Sequence, residues 1–215
     1  MFSMKNDELT SLIETIRKIV LTDGVEEVKL ERLRKNPAIQ NDKLDKYFEN
    51  DKKLAESIFE NDKNHFEVIF QEKNFETNNA IDNLFTVSEV IAKNFNYLSP
   101  SIYHYYQEKY PDIYQSYFDK RSDLVFEKIK INLNRGIWQG YYRDDLGIEL
   151  VARGYIKRLI DLYNKENFPA DNFSFDDFFN QMVETFVLSI ATEKGRAYWE
   201  KKKAKTGLIV KNDKR

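Results

Sequence analysis

Three carboxylates, Asp144, Asp145 and Glu149, fall close together in the chain. Such a group can share general acid and base work or hold a divalent cation. Arg143 beside them points to a plainer use, the charged opening of a helix, where acids favour the positive end of the helix dipole. His65 and His104 have side chains that titrate near neutrality in ordinary surroundings. They stand far apart and the chain has no cysteine, so they read as surface or hydrogen-bonded residues. No metal, cofactor or catalytic set is expected, and the chain is not read as an enzyme. The densest chemistry is aromatic. Seven of the 13 tyrosines lie between Tyr97 and Phe118: Tyr97, Tyr103, Tyr105, Tyr106, Tyr110, Tyr114 and Tyr117. A ring with a polar tip suits the wall of a ligand cavity, and it equally suits the core of a helical bundle.

Helices must position these groups. The chain has 215 residues, 41% of them apolar and 14% aromatic, which is enough to bury a core, and only 7 glycines and 4 prolines to reverse direction. That balance predicts an all-α protein. No run approaches the roughly 18 apolar residues of a membrane span, and no apolar leader follows the first residues, so a soluble, cytoplasmic protein with no membrane partner is expected. The net charge of −2 is not that of a chain that holds nucleic acid through charge alone.

About nine helices are legible. Leu9, Leu12, Ile13, Ile16, Ile19 and Val20 form one stripe, stopped by Asp23-Gly24. Leu30 and Leu33 mark a short second helix ended by Asn36-Pro37, and Leu44, Tyr47 and Phe48 mark a third from Gln40 to Phe48. Asn50 caps a long fourth helix bearing Leu54, Ile58, Phe66, Ile69 and Phe70. A fifth runs from Thr77 to Phe95, a sixth from Pro100 to Pro111, a seventh from Ile113 to Ile137 and an eighth from Leu146 to Tyr163. Ser174 opens a ninth that carries Phe178, Met182, Val183, Phe186 and Ile190. The expected organisation is a helix-turn-helix domain over 1–49, a larger helical domain over 50–199 and a basic, flexible tail over 200–215, where seven Lys and Arg face two acids.

The order of these segments resembles the TetR family of bacterial transcriptional regulators. The resemblance is carried by the first helix with Asp23-Gly24-Val25, by Leu30 and Leu33, by Leu44-Asp45-Lys46-Tyr47-Phe48 and by Leu54. It continues in Gly136-Ile137-Trp138-Gln139-Gly140-Tyr141-Tyr142-Arg143-Asp144-Asp145 and in Thr192-Glu193-Lys194-Gly195. It implies a homodimer that sets two recognition helices into successive major grooves of an operator duplex, about 34 Å apart. It also implies an unknown small-molecule effector bound in the larger domain, with Tyr103, Tyr106, Phe126 and Trp138 lining the pocket. The last two helices would pair across the dimer through Leu159, Phe178, Met182 and Phe186.

For DNA, Gln40, Asn41, Lys43, Lys46 and Tyr47 have side chains that reach base edges or phosphates, and Lys29 and Lys52 lie nearby. The unit departs from the family pattern where phosphate is usually met, with Asp45 in place of a tyrosine and Asp51 in place of a lysine. Pro37-Ala38-Ile39-Gln40 replaces the usual turn, and Arg34 stands where a small alanine packs. Residues 1–50 hold nine Lys and Arg against ten Asp and Glu. The leading reading is a ligand-responsive regulator, a repressor acting as a homodimer. The alternative is a dimeric ligand-binding or protein-interaction module of the same fold that has lost specific DNA binding.

Overall fold

A computed structural model describes residues 2–71, 77–95, 100–161 and 175–206. Among them run ten α-helices: α1 Phe2–Asp23, α2 Leu30–Leu33, α3 Asn41–Tyr47, α4 Asp51–Gln71, α5 Ala80–Phe95, α6 Pro100–Lys109, α7 Pro111–Trp138, α8 Ile148–Asp161, α9 Phe175–Ile190 and α10 Glu193–Thr206. A 3-10 turn, Val25–Val28, joins α1 to α2. The described residues contain no β-strand, and none of their helices is long and apolar enough to cross a membrane.

Local chemistry explains most boundaries. The α1 stripe of Leu12, Ile13, Ile16, Ile19 and Val20 is buried, and each such side chain contributes about 1.5–3 kcal/mol. Gly24 ends the helix at φ 103, ψ 162, a conformation open to glycine but an extended one rather than the left-handed helical cap. Asn50 caps α4 as its sequence context suggests, its Oδ1 accepting the Lys53 N–H at 2.9 Å. Asn79 does the same for α5, accepting from the Ile81 and Asp82 amides, so that helix opens at Ala80 rather than Thr77. Pro111 closes α6 by opening α7: at a first helical position its missing N–H leaves no bond unmade.

The chain forms two compact units, Met1–Val68 with Asn94–Arg121, and Ile69–Lys93 with Ser122–Arg215. The expected boundary at residue 49 lies within the first of these units. In the first unit Arg17 of α1, Asp62 of α4 and Tyr103 of α6 are all buried, Asp62 accepting bonds from the Arg17 guanidinium and, at 2.9 Å, from the Tyr103 hydroxyl. Thr10 adds a bond to Asn61 at 3.1 Å. A buried charge is tolerated only with its partners, so α4 and α6 fold with the first three helices. Phe59, Tyr103, Tyr106, Tyr117 and Phe118 complete this core, the Phe59 and Tyr117 ring centroids 4.8 Å apart.

The second unit contains a helix where the charge pattern predicts a fraying tail from residue 200. Helix α10 continues through Thr206. Trp199 is buried against Phe85 at 5.5 Å, Tyr198 and Lys202 bond Asp82 at 2.9 and 2.7 Å, and Lys203 reaches Glu184 at 2.5 Å. Residues 207–215 lie outside the described set.

The two stretches that carry the resemblance in this unit interlock. The Thr192 amide donates to the Tyr141 carbonyl at 2.9 Å, the Arg143 amide to that of Ile190 at 2.9 Å, and Lys194 Nζ to that of Gln139 at 2.8 Å. Thr192 Oγ1 accepts the Gly195 amide at 3.1 Å, which caps α10 and separates it from α9. That separation accounts for the tenth helix.

Candidate nucleic-acid interface

Helix α3 follows a reverse turn built without glycine. The Ile39 amide donates to the Asn36 carbonyl at 3.0 Å, and Asn36 Oδ1 accepts the Ala38 amide at 3.0 Å. Pro37 sits at the second turn position, where its fixed φ is already suitable. Ile39 tucks its side chain into the core, and Leu44 and Phe48 anchor the far side of α3. Gln40 takes the N-cap position with an extended backbone. It is exposed with Asn41, so two amide side chains stand at the end of α3 from which bases are read in a helix-turn-helix.

The other three groups expected on this helix converge on one acid from α1. Glu8 Oε2 accepts from Lys46 Nζ at 2.5 Å and from the Tyr47 hydroxyl at 2.5 Å, while Glu8 Oε1 stands 3.5 Å from Lys43 Nζ. The Lys46 and Tyr47 bonds hold the Glu8 carboxyl down to about 2, and the same contact raises Lys46. Glu8 is therefore expected to stay ionised and keep its partners down to about pH 3, releasing them only as pH falls toward 2. A carboxyl-carbon NMR titration checks this, and a midpoint near the ordinary 4.5 would show that the three groups do not meet in solution.

The two acids that break the family pattern are also engaged. Asp45 Oδ1 accepts from Arg34 at 2.8 Å, so the two departures at 34 and 45 satisfy each other. Asp51 Oδ1 accepts the Leu30 amide at 2.8 Å, at the start of α2, where a helix leaves its amides without internal partners. Lys29 pairs with Glu26 at 2.5 Å. Lys52 is exposed on the first turn of α4.

The expected effector residues belong to both units. Tyr103 and Tyr106 are buried in the ring core of the first unit, and the Tyr103 hydroxyl is committed to Asp62. The Tyr106 hydroxyl is buried with no hydrogen-bond partner among the described residues, and burial holds it well above its ordinary range. In the second unit Phe126 is half-buried between Lys130 and Arg153. Trp138 is 75% exposed, with the Arg135 guanidinium 4.3 Å over its ring. As the last residue of α7 it faces solvent rather than the inside of the unit.

The expected dimer residues divide as well. Met182 and Phe186 are buried within the single chain, Phe186 packing on Tyr155 at 4.5 Å. Leu159 is half-buried, and the Phe178 side chain lies outside the described set. The large apolar side chains that α8 leaves in solvent are Leu150, at 78%, and Ile160, at 41%.

Sequence reasoning does not reach Glu8, Arg17 or Asp62, and it finds Arg34 without its partner. For Glu8 a signal exists: it is in phase with Leu12, Ile16 and Ile19, so it belongs to the inward stripe of α1.

No known protein-family description matches the chain, and no curated protein matches it. Among solved structures it is similar to the ketosteroid transcriptional regulator KstR2 of Mycobacterium tuberculosis, with a TM-score of 0.58 over 88% of this chain and 96% of that one, at 18% sequence identity. At that identity the likeness shows the fold. The chain has the TetR-like all-α fold that its segments resemble.

Proposed function

We propose that the chain is a ligand-responsive, DNA-binding transcriptional regulator, a repressor that works as a homodimer in the cytoplasm and needs no catalysis. The observation that carries this reading is α3 itself, which follows a tight turn, is anchored inward by Leu44 and Phe48, and leaves Gln40 and Asn41 exposed at its leading end. The fold shared with a transcriptional regulator supports it. Leu150 and Ile160 on α8 support pairing of the second unit with its copy, since a partner would remove both from water. The Tyr106 hydroxyl, unpartnered among the described residues, supports a small-molecule effector with a polar group to meet it.

The reading is tested by gel shift with the DNA immediately upstream of the chain's own gene, alongside light scattering. A shifted complex is expected at about 50 mM salt and its loss by about 200 mM, as phosphate contacts require, from a species of twice 25.7 kDa. A strictly monomeric protein, or no shift at low salt, overturns it. A second reading, a module of the same architecture that has lost operator recognition, is favoured by Asp45 and Asp51, which serve Arg34 and the α2 amide rather than an anion.

A further inference from the structure

The groups on α3 best suited to a phosphate are arranged around an anion that the chain itself supplies. Two cations and a hydroxyl, Lys43, Lys46 and Tyr47, reach the two oxygens of the Glu8 carboxylate from one side, at 3.5, 2.5 and 2.5 Å. Several donors converging on one acidic group is how proteins hold a backbone phosphate, through lysine charge and hydroxyl hydrogen bonds. The site stays in contact with water: the Glu8 side chain is 31% exposed, Lys43 41% and Lys46 47%. An outside phosphate can therefore reach the same donors without unfolding the unit.

We propose that Glu8 is an internal competitor for DNA phosphate, a carboxylate that occupies the phosphate-binding donors of α3 and sets the affinity of the helix for duplex DNA. This rests on the DNA-binding reading above. DNA must either displace the carboxylate or bind beside it. In the first case the Glu8 contacts are given up, and in the second a negative charge remains next to the phosphate. Both weaken a contact that is independent of base sequence, so Glu8 acts on affinity and salt dependence and leaves the amide side chains of Gln40 and Asn41 to read bases. With Glu8 neutral, Lys43 and Lys46 present their full charge, and one more phosphate contact becomes available.

The decisive variant is Glu8→Gln, which keeps the size and an oxygen acceptor for Tyr47 and removes the charge. Glu14→Gln makes the same change in net charge on an exposed position of the same helix and serves as the control. The probe is a fluorescent duplex of mixed sequence, about 30 base pairs long, titrated with the full-length chain at several salt concentrations, because the phosphate contribution is independent of sequence. Glu8→Gln is expected to bind about five- to tenfold more tightly at low salt. Where DNA binds beside the carboxylate in the parent, the variant's log affinity should also fall more steeply with log salt by about 0.9, the contribution of one phosphate, and where DNA displaces it the slope stays the same. Glu14→Gln should lie within about twofold of the parent. Binding by Glu8→Gln alone supports the proposal in its strongest form, a helix silenced by its own carboxylate.

If the parent binds and Glu8→Gln is no tighter than Glu14→Gln, the proposal falls while the DNA-binding reading stands. If no variant binds at low salt, both fall. Circular dichroism of all three proteins guards against misfolding. Should Glu8→Gln unfold, Lys46→Gln with Glu8 retained provides the second route: it should reduce binding by less than about twofold if Glu8 already occupies that lysine, and a larger loss overturns the proposal.

Discussion

Replacing Gly195 with alanine should destabilise the chain by about 3 kcal/mol or more, because the new methyl group has no space to occupy. A Cβ there would lie 2.1 Å from the Tyr141 carbonyl oxygen and 3.2 Å from the Ala191 Cβ. The oxygen is backbone, and it is held in place because it accepts the Thr192 amide at 2.9 Å. Relief would require moving α10 away from the segment around Tyr141, which would break the Thr192 and Lys194 bonds together. For a chain of this size a loss of about 3 kcal/mol lowers the melting midpoint by roughly 6–12 °C. Thermal unfolding followed by circular dichroism measures it. Gly154, on the exposed side of α8 with none of the described atoms within 4 Å of the same added carbon, is the matched comparison. There alanine should be neutral or stabilising by up to about 1 kcal/mol, since glycine is a poor helix former. Equal midpoints for the two variants would refute the close packing of α10 on Tyr141.

The second large effect is expected at the buried ion pair. Removing one member, by Asp62→Ala or Arg17→Ala, should cost about 3–5 kcal/mol, because the survivor loses the opposite charge it bonds in a place water does not reach. Burial pushes the Asp62 carboxyl up, while the Arg17 guanidinium and the Tyr103 hydroxyl act against that rise. Taking two charges out of water costs about as much as their attraction returns, so such a pair is tolerated rather than strongly stabilising. Exchanging both together, Arg17→Met with Asp62→Leu, should therefore be less damaging than either single loss. A double-mutant cycle by urea unfolding decides the matter. If the double exchange destabilises by the sum of the single losses, the two side chains do not act as a pair and the account fails.

Both residues show how far the sequence can be read. The stripe of α1 is legible because its apolar residues repeat at helical spacing, and the Asn50 cap is legible because capping is a local matter. Asp62 is in phase with Ile58, Phe66 and Phe70, and Arg17 with Ile13 and Val20, so each looks like a charge misplaced on an apolar face. Their partnership spans 45 positions, and periodicity has no means of pairing residues so far apart. The meeting of three α3 side chains at Glu8 escapes for the same reason. Helix α10 is hidden differently: it has no apolar stripe, only Trp199 inward and polar side chains reaching Asp82 and Glu184, so a pattern search sees a charged tail. The aromatic segment from Tyr97 stands out in the sequence, yet composition alone cannot separate a core of rings from a ligand wall, and burial of Tyr103 and Tyr106 fits both.

The partners of Asp45 and Asp51 bear on how the sequence around α3 can change. Asp51 answers the part-buried Leu30 amide, so position 51 is not free to drift alone toward the residue usual in the family it resembles, whereas the Arg34–Asp45 pair lies in water and gives way at little cost. A tyrosine at 45 leaves the Arg34 guanidinium to water, but a lysine at 51 uncaps α2. A change at 51 is therefore tied to the start of α2, and succeeds only with a second change that gives the Leu30 amide a new acceptor.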